Sequence, residues 1–500
     1  MYDTNHLLNA LRIASAGREG DVFAKVPCGA DVSFGDLFAG AEKIAAALVE
    51  MGVTPGDRVA VQVEKTVAAI QLYLGTVMAG GVFLPLNTAY TTPEVAYFLG
   101  DAAPRVVVCD PARETDTKGI AGEAVVKTLD ADGHGSLLEA AASHSGFAPV
   151  ARGADDLAAI LYTSGTTGRS KGAMLSHGNL ASNSTVLRDF WRFTSDDVLI
   201  HALPIFHTHG LFVATNVALL AGASVVFLTK FDADAILEAM PASTALMGVP
   251  TFYTRLLDDP RLSRDLAANM RIFVSGSAPL LVDTHEAWED RTGHRILERY
   301  GMSETNMNTS NPYDGERRAG TVGFPLPQVE TRIRQDGVMV AQGEIGVLEV
   351  RGPNVFKGYW QMPEKTAEEL LPDGWFITGD LARQDADGYI TIVGRSKDLV
   401  ITGGFNVYPK EVESLIDDIA GVKESAVIGV PHADFGEAVV AVVVRVDPTL
   451  TKDAITGPLA ENLAKFKQPK EVIFLPELPR NTMGKVQKKA LREDFAALFG

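Results

Sequence analysis

LAAILYTSGTTGRSKG, residues 157–172, is the stretch on which the reading of this chain turns. Leu157, Ala158, Ala159, Ile160 and Leu161 form a continuous apolar run of the kind that makes a buried strand. From Thr163 to Gly172 every residue but Arg169 is Gly, Ser, Thr or Lys. Glycines let successive N–H groups point into one concavity, and Ser164, Thr166 and Thr167 add hydroxyl donors. Lys171 contributes a full positive charge. Such a bend suits a polyphosphate. Its spacing is neither that of the Gly-x4-Gly-Lys-Ser/Thr loop nor that of the kinase glycine-rich loop. A plain surface loop between two strands is the competing reading, and the density of donors around a lysine argues against it.

Outward from this bend, apolar strand-like runs alternate with helical patterns. RVAVQV (58–63) precedes a helical segment near 66–78, and VFLPL (82–86) comes next. PRVVVCD (104–110), ASVVFL (223–228) and MRIFVSG (270–276) continue the series. Strand–helix–strand repetition predicts an α/β fold with mixed or parallel sheets covered by helices. From about Gly320 short strands separated by Asp/Gly turns, such as DADG at 385–388, predict a β-rich unit built of hairpins. After GRSKD (394–398) the texture changes again. Pro409 can open a helix, with Glu411 and Glu413 suiting its dipole, and ESAVIGV (424–430) and AVVAVVV (438–444) read as strands. The expected division is a large N-terminal domain over 1–396 and a small α+β domain over 397–500.

Five hundred residues with 46% hydrophobic content are ample for large cores and more than one domain. A net charge of −18 argues against a nucleic-acid surface, so an anionic substrate must be held by local cations. The two cysteines, Cys28 and Cys109, form no C-x-x-C pattern and suit a reducing compartment. The first residues do not read as a signal peptide, and no apolar run has membrane-spanning length. A cytoplasmic protein without a membrane partner is the expectation.

Four further segments carry chemistry. ERYGMSET (298–305) comes after a strand-like HRIL, and here Tyr300 can stack on a base while Glu304 offers magnesium one carboxylate. WFITGDLARQD (375–385) sets Asp380 after a Thr-Gly turn, where a carboxylate can accept hydrogen bonds from a ribose diol. VGRSKDLVITGGFNVYP (393–409) puts Arg395 and Lys397 beside the paired glycines Gly403 and Gly404. PRNTMGKVQKKAL (479–491) carries Lys485 ahead of a basic helical tail. Taken singly, each has an ordinary structural explanation: a strand exit, a turn-capping Asp, a charged hairpin end and a solvated basic terminus.

Together, in this order and spacing, they resemble the adenylate-forming superfamily of acyl-CoA synthetases, peptide-synthetase adenylation domains and firefly luciferase. The resemblance covers nearly the whole chain. It implies ATP, Mg²⁺ and coenzyme A, with an acyl-adenylate formed first and AMP then displaced by the thiol. By the same resemblance Thr163, Ser164, Gly165, Thr166, Thr167, Gly168 and Lys171 would hold phosphates. Ser277, Ala278 and Pro279, with Glu298, Arg299, Tyr300, Gly301, Met302 and Ser303, would enclose adenine and the α-phosphate. Asp380 and Arg395 would hold the ribose, Glu304 the metal, and Lys485 would be the catalytic lysine on a mobile lid. Lys397 would be the hinge, and Gly403 and Gly404 would line the channel for the pantetheine arm.

The acyl pocket of the superfamily is lined by segments that here contribute His207, His209, Arg255, Ser277, Arg299 and Met307. Two arginines would be out of place in a pocket for an apolar acid, because an unpaired buried guanidinium is costly. A second carboxylate on the substrate would supply the partner. The alternative is that Arg255 ends a helix turn in solvent and Arg299 pairs with Glu298 or Glu304. NMNTSNPYDGERRAGTVG (306–323), with FHTHGL, is most similar to malonyl-CoA synthetases, so a small dicarboxylate, malonate or methylmalonate, is expected. A short-chain or aryl acyl-CoA synthetase is the runner-up. A non-catalytic adenylate-binding sensor is disfavoured because it would have no need of Lys485 and Glu304.

Overall fold

The computed structural model describes residues 3–27, 29–163, 170–402, 405–481 and 484–499. Two large sheets and one smaller one make up the chain before residue 396. In the six-stranded sheet the order is Val125–Thr128, Val106–Cys109, Arg58–Gln62, Val82–Pro85, Leu157–Thr163 and Lys171–Ser176. All neighbours are parallel except the last pair, which is antiparallel. The glycine-rich bend therefore joins the two strands at one edge of this sheet. In the nine-stranded sheet Leu297–Met302, Ile272–Ser275, Ala245–Gly248, Val198–His201, Ser224–Phe227 and Val22–Lys25 run parallel side by side. Short antiparallel strands close both edges.

Apart from HRIL, the runs expected as strands from the sequence are strands. Each is apolar on both faces because helices such as Val67–Met78 cover the sheets on either side. Thr66 caps that helix by accepting from the Ala69 N–H. The hairpin unit is a five-stranded antiparallel sheet that includes Phe376–Gln384 and Ile390–Arg395, joined through the DADG turn. Beyond it the hydrophobic contacts change over. One continuous core runs from Leu7 to Ile390, and a separate one from Val400 to Val472 packs the helix Pro409–Asp417 on a small sheet.

One segment differs from expectation. HRIL was expected to be the strand and ERYGMSET its loop, yet the strand is Leu297–Met302 and turns back at once into Asn306–Ser310. Gly301 makes this possible. A Cβ there would lie 1.9 Å from the Asn306 carbonyl oxygen, so only glycine lets the two backbones approach so closely. The residues of this motif are thus held by a sheet rather than by a loop.

Candidate active site

Thr163 and Lys171 face each other across the end of the antiparallel pair. The Tyr162 hydroxyl donates to Asp101 at 2.5 Å and the Tyr97 hydroxyl to the Ser170 carbonyl at 2.9 Å, which fixes both ends of the bend. Ser164, Gly165, Thr166, Thr167 and Gly168 lie outside the described residues. Lys171 is half-buried, sits 4.2 Å from the centre of the Tyr359 ring and pairs with both oxygens of Glu369, at 3.2 and 3.3 Å.

Glu304 is buried in the turn of the hairpin, between Met302 and Asn306. Burial raises its carboxyl above the usual range, with Lys171 among the groups opposing that shift. The Tyr359 hydroxyl lies 3.1 Å from one of its oxygens. Among the described residues no three His, Cys, Asp or Glu side chains converge. The donor set fits magnesium held by one carboxylate together with phosphate oxygens and water.

Asp380 and Arg395 are directly opposite each other on neighbouring strands, and the register brings Arg395 Nε to 3.0 Å from the carboxylate. The Tyr300 hydroxyl donates to the other Asp380 oxygen at 2.6 Å. Asp380 is thus fixed from two sides. It lies within a strand in which Gly379 takes φ +72°, rather than after a free turn.

At the floor, Ser277 adopts φ +71° and its hydroxyl lies 3.3 Å from His209 Nδ1. Ala278 is half-buried beside it, and Pro279 is exposed. Glu298 is buried and among the described residues accepts only the Leu280 N–H, at 3.3 Å; burial pushes its carboxyl up to about 8. It does not pair with Arg299. Arg299 is 2% exposed, and its Nε and Nη2 have no partner among the described residues. Burial pulls its guanidinium down to about 9. Gly276 leaves the space it occupies, since a Cβ there would lie 2.5 Å from the guanidinium carbon. His207 is pushed down to about 4 by burial and then by Arg299 and Lys485. His209 is likewise pushed far down by burial and Arg299. Both imidazoles are neutral near pH 7, leaving the positive charge on Arg299. Met307 is buried on the adjoining strand.

Arg255 does not join this group. The helix Pro250–Leu257 turns Phe252, Tyr253 and Leu256 inward, leaving Arg255 exposed over the Phe231 ring. The expectation of two pocket arginines is corrected to one. The period of that helix decides which way each side chain faces.

Lys485 comes in from the C-terminal unit. Burial, then Arg395, lowers its ammonium to about 8, with Asp380 opposing. A Cβ on its neighbour Gly484 would lie 3.5 Å from the Thr251 hydroxyl oxygen. The lysine thus lies within electrostatic reach of Asp380, Arg395 and His207. Lys397 lies exposed in the short 3₁₀ turn Ser396–Asp398, whose Asp398 pairs with Arg492 of the C-terminal helix at 3.0 Å. Gly403 and Gly404 lie outside the described residues.

Sequence reasoning missed Glu369, Tyr359 and a buried pair behind the pocket. Lys65 is buried and donates to the carbonyls of His201 and Leu228 at 2.6 and 2.7 Å, with no carboxylate partner among the described residues. His201 in turn bonds the Gly210 carbonyl at 3.0 Å, in the π-helix His209–Thr215 that carries His209. A buried lysine inside an alternating pattern gives no local signal of its partners.

Residues 14–360 match the family described as AMP-binding enzyme, and 411–485 its C-terminal domain. The chain is 36% identical to a malonate–CoA ligase of Arabidopsis thaliana over 88% of this chain and 78% of that protein. It superposes on ATP-bound MatB from Rhodopseudomonas palustris with a TM-score of 0.97 at 59% identity, covering 99% of this chain and 100% of the other. With apo MatB from the same organism the TM-score is 0.85 at the same identity and coverage.

Proposed function

Because the chain belongs to the AMP-binding enzyme family, we propose that this AMP-forming acid–thiol ligase joins malonate to coenzyme A. The carboxylate oxygen of the acid attacks the α-phosphorus of ATP, and pyrophosphate leaves. The coenzyme A thiolate then attacks the acyl carbon of the malonyl-adenylate, and AMP leaves. Methylmalonate differs by one methyl group and is the second candidate.

The two anions must meet, and cations offset their repulsion. Lys171 and the hydroxyl-rich bend take the β- and γ-phosphates, Asp380 takes the ribose diol, and Lys485 bridges the attacking carboxylate and the α-phosphate. Magnesium, when bound at Glu304, supplies charge neutralisation at the phosphate oxygens. We assign residues 1–396 to the domain that binds acid and ATP, and 397–500 to the lid that carries Lys485 and turns about Lys397. The cytoplasm, with its thiol-reducing conditions, suits the buried free Cys109. No helix among the described residues is long and apolar enough to cross a membrane.

The observation that carries the choice of acid is Arg299, a buried guanidinium whose Nε and Nη2 have no partner among the described residues. A monocarboxylate would spend its one charge at the reacting end and leave Arg299 unpaired; malonate has a second carboxylate to offer. The test is acid-dependent exchange of pyrophosphate into ATP across mono- and dicarboxylates. Malonate should give the highest kcat/KM, and Arg299→Leu should lower it on the order of 10²-fold or more while changing butyrate little. A malonate kcat/KM that survived in Arg299→Leu would refute the assignment.

A further inference from the structure

We propose that Glu369 is a built-in competitor for the phosphates: it occupies Lys171 until nucleotide arrives and takes the lysine back as pyrophosphate leaves. The proposal rests on the phosphate-binding role given to Lys171 and is independent of which acid is used. Glu369 ends the helix Pro363–Glu369, far along the chain from the glycine-rich bend. Both its oxygens lie within 3.3 Å of the lysine, at the position of a bidentate anion.

The pair is not an incidental surface contact. Lys171 and Glu369 are 16% and 23% exposed, and the Tyr359 ring lies beneath the ammonium. The Tyr359 hydroxyl is 2.6 Å from Glu369 and 3.1 Å from Glu304. Having one proton, it donates to one carboxylate at a time. Lys365, one turn earlier on the helix, holds Glu369 from the other side at 2.9 Å. When Lys171 turns to a phosphate, Glu369 therefore keeps Lys365 and the phenol as partners and is not left as an isolated buried charge. That retained support makes the exchange reversible. An anion that must displace a carboxylate binds less tightly than one meeting a free ammonium, and it also leaves faster.

The experiment measures dissociation constants of pyrophosphate and ATP by calorimetry on the full chain. Glu369→Gln keeps the shape and removes the charge, and should tighten both ligands about 3- to 10-fold, the range of a single partly exposed ion pair. Lys365→Gln should weaken both, because Lys171 is then the one ammonium left to Glu369 beside the Tyr359 phenol. In a Lys171→Gln background, Glu369→Gln should leave both constants where they are. If Glu369→Gln weakened the ligands, or tightened them equally without Lys171, the exchange would not exist. Wild-type protein that binds ATP yet releases no pyrophosphate with malonate would overturn the choice of acid and leave this proposal standing.

Discussion

The role proposed for Lys485 puts the chemistry of the first step on one ammonium. On that proposal its charge matters while oxygen attacks phosphorus and not while sulfur attacks carbon. Lys485→Ala should lower adenylate formation by about 10²–10³-fold or more and largely spare thioester formation from supplied malonyl-adenylate. Equal loss in both half-reactions would refute the role. The pH dependence comes from the same group. Burial lowers it to about 8, and the proposed role requires the cationic form. Adenylation should therefore fall as pH rises through about 8, with the lowered Arg299 adding a further loss near 9. Lys485→Arg, if it retains measurable exchange, should not show the lower of these two losses. Candidate positions of this kind are legible in the sequence only where a motif marks them. Glu369 is not, because it lies 198 residues from Lys171 and nothing in its own helix marks it.

At the scale of elements, the tight hairpin between Leu297–Met302 and Asn306–Ser310 sets both Glu304 and Arg299. Gly301→Ala would force two backbones apart. It should cost about 1–3 kcal/mol or more in urea unfolding and raise the KM for both ATP and acid. A variant with unchanged midpoint would mean that the hairpin tolerates opening. Strands such as Ile272–Ser275 could be read from the sequence because they are short, apolar and bounded by turn residues. The hairpin could not, since Arg, Tyr and Glu in ERYGMSE break the apolar pattern that marks a strand. Their placement comes from tertiary space, with Gly276 and Gly301 providing room that a local pattern does not encode. Arg255 was misassigned for the complementary reason: family spacing names a segment, while helix phase decides which side faces the pocket.

For the whole molecule, the arrangement with Lys485 within electrostatic reach of Asp380 and Arg395 is the one the proposed mechanism needs for the first half-reaction. The superposition is better on ATP-bound than on apo MatB at equal identity, so the difference lies in arrangement rather than in sequence. A bridge between Thr251→Cys and Gly484→Cys would hold this arrangement, given the 3.5 Å approach between a Cβ at 484 and the Thr251 side chain. The oxidised protein should release pyrophosphate in a single burst and make no thioester until a reductant is added. Steady thioester production in the oxidised form would mean that no lid movement is needed.

Arg299 also bears on how easily the acid preference can be lost. A buried guanidinium whose Nε and Nη2 have no partner among the described residues weakens the empty protein, so replacing it with an apolar side chain would make the fold sturdier and the site indifferent to a second carboxylate. Drift toward monoacids therefore runs downhill in robustness. Fidelity to the diacid persists only while selection for the product opposes that slope.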